Sequence, residues 1–169
     1  MKGNERVTTS NIRYTNALTP ELLATLSQSP FTEEQLVSFS TEALAIVREQ
    51  EAYSQRHPIT AIYRFAAEGS QTRNGGVLRR ATSSLEITLE SGQVVRVALT
   101  GDVVDYPDGS QAEIITGAGQ QGQSGERSAA LVGSRLSNGD EIIGTLQGCA
   151  LIAQRDGVPM ANDFLADGK

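Results

Sequence analysis

Few side chains in this 169-residue chain could carry covalent or metal chemistry, and their spacing argues against most of it. His57 is the only histidine and Cys149 the only cysteine. No intrachain disulfide can form, and no Cys/His cluster of the kind that holds structural zinc. His57 precedes Pro58 at the end of a helical pattern, a place that suits a charge at a helix C-terminus or a surface histidine better than a catalytic base. Cys149 lies in Leu146-Gln147-Gly148-Cys149-Ala150-Leu151-Ile152. That apolar setting predicts a packed small hydrophobe rather than a reactive thiol. Gly122-Gln123-Ser124-Gly125 lacks the Gly-x-Ser-x-Gly spacing of a nucleophile elbow and has no nearby histidine, which argues against a hydrolase. Asp102, Asp105 and Asp108 are three residues apart, whereas a calcium loop takes ligands at alternate positions. They read as solvated turn carboxylates. We therefore expect no catalytic residues, no metal ligands and no cofactor.

Bulk properties remove further classes. The net charge is -6, and Arg79-Arg80 is the only basic doublet, so the clustered cations of a nucleic-acid surface are missing. No apolar run approaches the roughly 20 residues of a membrane-spanning helix. The segment Met1 to Ser10 lacks the apolar core of a secretory signal, so a cytosolic start is expected, with any export by a route that reads no cleaved leader. Aromatic residues are 5% and tryptophan is absent, so any core must be built from Val, Ile, Leu and Ala.

The elements that would position any site centre on Thr72 to Pro107. Leu85, Ile87 and Leu89 alternate with Glu86, Thr88 and Glu90; Ser91-Gly92 turns the chain; Val95, Val97 and Leu99 alternate back. This predicts a β-hairpin with one buried face. Ahead of it, residues 1–18 predict an arm or short strand. Thr19-Pro20-Glu21 and Thr32-Glu33-Glu34-Gln35 are helix starts, the second leading to His57-Pro58. Leu36, Phe39, Ala43, Ile46 and Val47 recur at helical spacing and predict one apolar stripe. Ile59 to Phe65 predicts a strand. Sixteen of the 17 glycines follow residue 65, which places a boundary between a helical N-terminal extension, 1–65, and a β-rich domain, 66–169. Within the latter, Glu113-Ile114-Ile115 is echoed by Glu141-Ile142-Ile143, and Val94 to Gly101 by Ser128 to Gly133. Asp156 to Ala161 reads as a third strand-turn unit, and the three suggest a small pseudo-symmetric β-fold. Gln120 to Arg127 is a polar loop between strands.

This pattern resembles the PAAR-repeat family, the conical tip proteins of type VI secretion and related contractile injection machines. The residues that carry the resemblance are the opening Gly69 to Gly76, the segment Val97-Ala98-Leu99-Thr100-Gly101-Asp102, and Ala130-Leu131-Val132-Gly133; it covers about residues 66–166. The resemblance implies a mainly β, pseudo-three-fold conical domain, and a non-catalytic tip that caps and sharpens a homotrimeric VgrG-type spike. It would be cytoplasmic before firing and delivered outside the cell with the spike. Leu85, Ile87, Leu89, Val95, Val97 and Leu99 are the candidate spike-binding residues. Leu36, Phe39, Ala43 and Ile46 are candidates for docking an effector or adaptor. No fused C-terminal toxin domain is expected. Asn74, Tyr106 and Asn138 stand where the family places metal-ligating His and Cys, so the family's metal is expected to be absent, with Tyr106 filling the space. The alternative class is a small cytosolic enzyme or carbohydrate-binding module on a β-scaffold, which a cleft with convergent perturbed carboxylates would favour.

Overall fold

The computed structural model describes residues 13–166; most of the predicted N-terminal arm lies outside them. The fold is mainly β, built from short strands in small two-stranded sheets with a few helices. The described residues divide into two compact units. One holds residues 13–16, Tyr63–Ile152 and 160–166; the other holds Ala17–Ile62 and Ala153–Pro159. The helical part is thus not a purely N-terminal extension ending at residue 65, because it also takes in a segment from near the C-terminus.

In the helical unit, α1 (Pro20–Ser27) begins where Thr19 caps it, the Thr19 hydroxyl accepting from Leu22 N–H, with Pro20 in the first turn. Thr32 and Gln35 form the reciprocal capping box of α2 (Glu33–Val37). The expected single helix from there to His57 is two helices. Ser40 starts a new one, α3 (Thr41–Arg56), by accepting from Ala43 N–H, and this local side-chain bond competes with helix continuation through residues 38–40. The break re-aims the apolar stripe. Leu36 and Val47 are buried, Phe39 packs its ring edge-on against Phe31 at 5.0 Å, Ala43 is half-buried, and Ile46 is 63% exposed. Ile46 is therefore not part of the buried face. His57 caps the end of α3, and its Nδ1–H donates to Asp156 O at 2.8 Å; Arg155 donates to His57 O at 2.9 Å. Asp156 and its neighbours are thus held by the helical unit and are not the third repeat of the β-rich one.

Strand β1 (Ile59–Arg64) pairs with β10 (Leu151–Arg155). The remaining strands all lie in the β-rich unit: β2 (Gln71–Thr72), β3 (Glu86–Thr88), β4 (Val94–Arg96), β5 (Val103–Asp105), β6 (Gln111–Glu113), β7 (Gln123–Ser124), β8 (Arg127–Ser128) and β9 (Ile142–Gly144). The predicted hairpin is present: β3 and β4 pair antiparallel with Ile87 opposite Val95, and Gly92 supplies the turn with φ +94°. Its buried face is confined to the second strand. Val95 and Val97 are buried and Leu85 is 52% exposed. The alternation also stops at Val97, because Ala98 and Leu99 are both covered by other segments.

What organises the unit is a set of three equivalent segments, 66–70, 98–102 and 130–134, spaced by 32 residues. Ala98 N–H donates to Ala66 O, Ala130 N–H to Ala98 O, and Ala66 N–H to Ala130 O, at 2.8, 2.8 and 2.9 Å, so the three alanines close a ring of hydrogen bonds. None of the three is exposed. Each segment then turns at a glycine, Gly69, Gly101 or Gly133, with φ between +93° and +107°, a conformation that disfavours any L side chain. A buried side-chain oxygen on the residue after each glycine secures the turn. The Ser70 hydroxyl accepts from Ala67 N–H, the Asp102 carboxylate from Leu99 N–H, and the Ser134 hydroxyl from Leu131 N–H. Leu78, Ile114 and Ile142 follow in the same places, each pairing through main-chain bonds with its own segment and each almost wholly buried. The sequence echo of 113–115 with 141–143 is therefore real, and its third member is Val77-Leu78, not the segment from Asp156.

Gln147 closes the turn 147–150 onto Phe65, the residue before the first segment. Its buried amide donates to Phe65 O and Ala150 O, and its carbonyl accepts from Cys149 and Ala150 N–H. All four side-chain bonding positions are used, which removes the cost of burying the group. Cys149 is exposed, contrary to the packed position its neighbours suggested: the turn around Gln147 faces it outward.

Candidate functional site

The three positions singled out for their departure from a metal-ligand pattern do meet. Asn74, Tyr106 and Asn138 lie on the turns Thr72–Gly76, Tyr106–Ser110 and Leu136–Asp140, each closed by a main-chain bond back to its first residue. The group that joins them is one the sequence did not single out, Asp140. Its carboxylate is buried and accepts from Tyr106 O–H at 2.6 Å and from Asn74 N–H at 3.2 Å. It also accepts from Glu141 N–H at 2.8 Å and bonds Thr72, while Asn138 Oδ1 accepts from Asp140 N–H. Main-chain contacts tie the same turns, Val77 to Asp105 and Arg73 N–H to Glu141 O. Gly76 is required here by space alone. A Cβ would lie 2.5 Å from Val104 Cγ1 and 2.9 Å from Tyr106 Cε1, so no other residue lets the chain pass the phenol ring.

Tyr106 thus fills the space between the turns, packing on the core formed by Leu78, Ala98, Val104 and Ile114. Burial and the bond to Asp140 push its hydroxyl above the ordinary phenol range. Burial alone would raise Asp140, but the hydrogen bonds from Thr72, Tyr106, Glu141 and Asn74 outweigh it and hold the carboxyl below its ordinary range. These residues do not fit a zinc site. They supply amides, a phenol and one fully engaged carboxylate, with no thiolate or imidazole, and among the described residues no group of three or more His, Cys, Asp or Glu is placed to hold a metal ion. A group whose folded pKa is depressed contributes stability above its unfolded value, about 3.9 for Asp, and loses it as pH falls through the folded value. Acid unfolding of the wild type should therefore show a component below about pH 4 that Asp140→Asn lacks. Equal acid-unfolding profiles, followed by circular dichroism, would count against it.

The candidate spike-binding residues separate into two groups. Val95, Val97 and Leu99 are in the interior, Ile87 and Leu89 are half-buried, and Leu85 is exposed on the same face as Ile87, whereas the exposed Val94 lies opposite Thr88 on the other face. An apolar surface on this face of the hairpin therefore rests on Leu85 and the rims of Ile87 and Leu89. Among the helical candidates Leu36 is interior, Phe39 and Ala43 are half-buried and Ile46 is exposed; Val37, which was not among them, is exposed by 83%.

Asp102 is a correction. It is not a solvated turn carboxylate but is buried, accepting from Thr82 Oγ1 at 2.6 Å, Leu99 N–H at 2.9 Å and Arg127 Nη2 at 2.7 Å. Arg127 also donates through Nε to Thr100 O. This group shapes a cleft of about 230 Å³ lined by Thr100, Ile115, Gln123, Glu126, Arg127 and Asp163 among others. The two carboxyls held below their ordinary range, Asp140 and the Ser110-capped Asp108, do not line it. No helix among the described residues is long and apolar enough to cross a membrane. The chain matches no family model, no curated protein and no solved structure.

Proposed function

We propose that the β-rich unit is a PAAR-type, pseudo-three-fold conical tip, a non-catalytic cap for the end of a homotrimeric VgrG-type spike in a contractile injection machine. One observation carries the reading: the closed ring of bonds among Ala66, Ala98 and Ala130, with the same turn repeated after each. One chain can match a three-fold partner only by offering three similar edges, and such a repeat supplies them. The end of a β-spike exposes unpaired strand edges, which are a liability unless covered. Short strands such as β3 and β4 can extend them by main-chain pairing, with the exposed Leu85 and the rims of Ile87 and Leu89 sealing the contact. The protein would reside in the cytoplasm until firing and leave with the spike, and the exposed Val37 and Ile46 of the helical unit would dock an effector or adaptor. Reconstitution with a trimeric VgrG-type spike tests the reading: the mass of the complex should correspond to one copy per three spike chains. Three copies per trimer, or no binding to any trimeric spike, would rule it out.

A further inference from the structure

We infer that Asp140 and Tyr106 form a clasp that holds the three turns 72–76, 106–110 and 136–140 as one rigid end, separately from the ring that holds the rest of the unit. The third turn supplies the buried carboxylate and the other two bond to it: Asn74 N–H and Thr72 from the first, Tyr106 O–H from the second, with a local bond from Glu141 N–H. Hydrogen bonds to a charged acceptor are stronger than neutral ones, and a low-dielectric setting strengthens them further. The remaining ties between the turns are neutral main-chain bonds, Val77 with Asp105 and Arg73 N–H to Glu141 O, and exposed or local side-chain contacts. The Arg73–Glu141 ion pair, at 2.6 Å, is largely exposed and contributes little. Asp108 is spent on Ser110, and Asp105 accepts from the Gln111 amide, so neither charge competes for the clasp. Each turn tip is exposed at its glycine, Gly75, Gly109 or Gly139; without the clasp the tips would be short polar loops free to open locally. The clasp stands on this geometry alone, and only its use as a stiff puncturing point rests on the proposed function.

The test is amide exchange on the full chain, without any spike protein. In Asp140→Asn the amides of Asn74 and Glu141 should exchange about tenfold faster or more, while those of Ala66, Ala98 and Ala130 stay as in the wild type. Tyr106→Phe, which keeps the ring and removes only the hydroxyl, should give a smaller change at the same amides. The double variant should exchange little faster than Asp140→Asn, because the two groups act through one bond. Uniform acceleration across turns and ring, no acceleration in either variant, strictly additive effects, or loss of folding in Asp140→Asn would overturn the clasp as a separate device. None of these outcomes bears on spike binding, so the clasp and the proposed function can fail independently.

Discussion

Val97→Asp is expected to leave no folded β-rich unit, whereas Leu85→Asp is expected to fold as the wild type does and to lose spike docking. Both residues sit on the hairpin, and sequence alternation put them on one face. In the structure Val97 is 6% exposed, with its N–H donating to Leu85 O and its backbone paired beside Ala67. A carboxylate there would be taken out of water, and burying an unpaired charge costs several kcal/mol, a large part of the roughly 5–15 kcal/mol that holds a domain together. Leu85 is more than half exposed; a charge there stays hydrated, and surface changes of this kind move stability by about 0.5 kcal/mol or less. Its effect would fall on an apolar contact with a partner. Circular dichroism and pull-down with a trimeric VgrG-type spike separate the two outcomes. A folded Val97→Asp protein would refute the interior placement, and a Leu85→Asp protein that still docks would remove this face from the proposed interface.

Asp102 is where the repeat makes a quantitative prediction. Its carboxylate receives Thr82, Leu99 N–H and Arg127, and removing one partner of a buried charged pair costs about 3–5 kcal/mol. Arg127 is 40% exposed at its side chain and can turn to water, so Asp102→Ala should fall at the low end, about 3 kcal/mol. The equivalent positions in the other two segments are Ser70 and Ser134, whose hydroxyls accept from the N–H three residues back at 3.0 and 2.9 Å. Asp102→Ser can make that same bond to Leu99, so it should be milder than Asp102→Ala by about 1 kcal/mol, the usual net contribution of one such bond. Urea unfolding of the full chain measures both. If serine is as damaging as alanine, the three turns are not equivalent, and the repetition that supports the proposed tip loses its energetic basis.

Sequence alone determined the local features whose causes are local. Thr19, Pro20, Thr32 and Gln35 are caps because their side chains reach backbone N–H groups within three residues, and Ser91-Gly92 turns because glycine tolerates positive φ. It also determined that no Cys/His zinc set exists. Two signals were present and not used: Ser40, which can cap as well as Thr32 does, and Ala66-Ala67-Glu68-Gly69-Ser70, the third member of the echo already legible at Ala98 and Ala130. Only the tertiary structure decided which apolar residues are interior. Alternation and helical periodicity report that a face is buried, but Leu85 and Ile46 lie where no other segment covers them, and Ala98 and Leu99 where segments cover both sides. Asp102 and Asp140 were illegible for the same reason. A buried carboxylate and a solvated one have the same neighbours in sequence, and only partners 25 to 66 residues away, Arg127 and Asn74, separate them. The ring of alanines is equally non-local: three small residues 32 apart become the centre of the unit only when the chain returns to the same place three times, each return offering one N–H and one C=O to its neighbours.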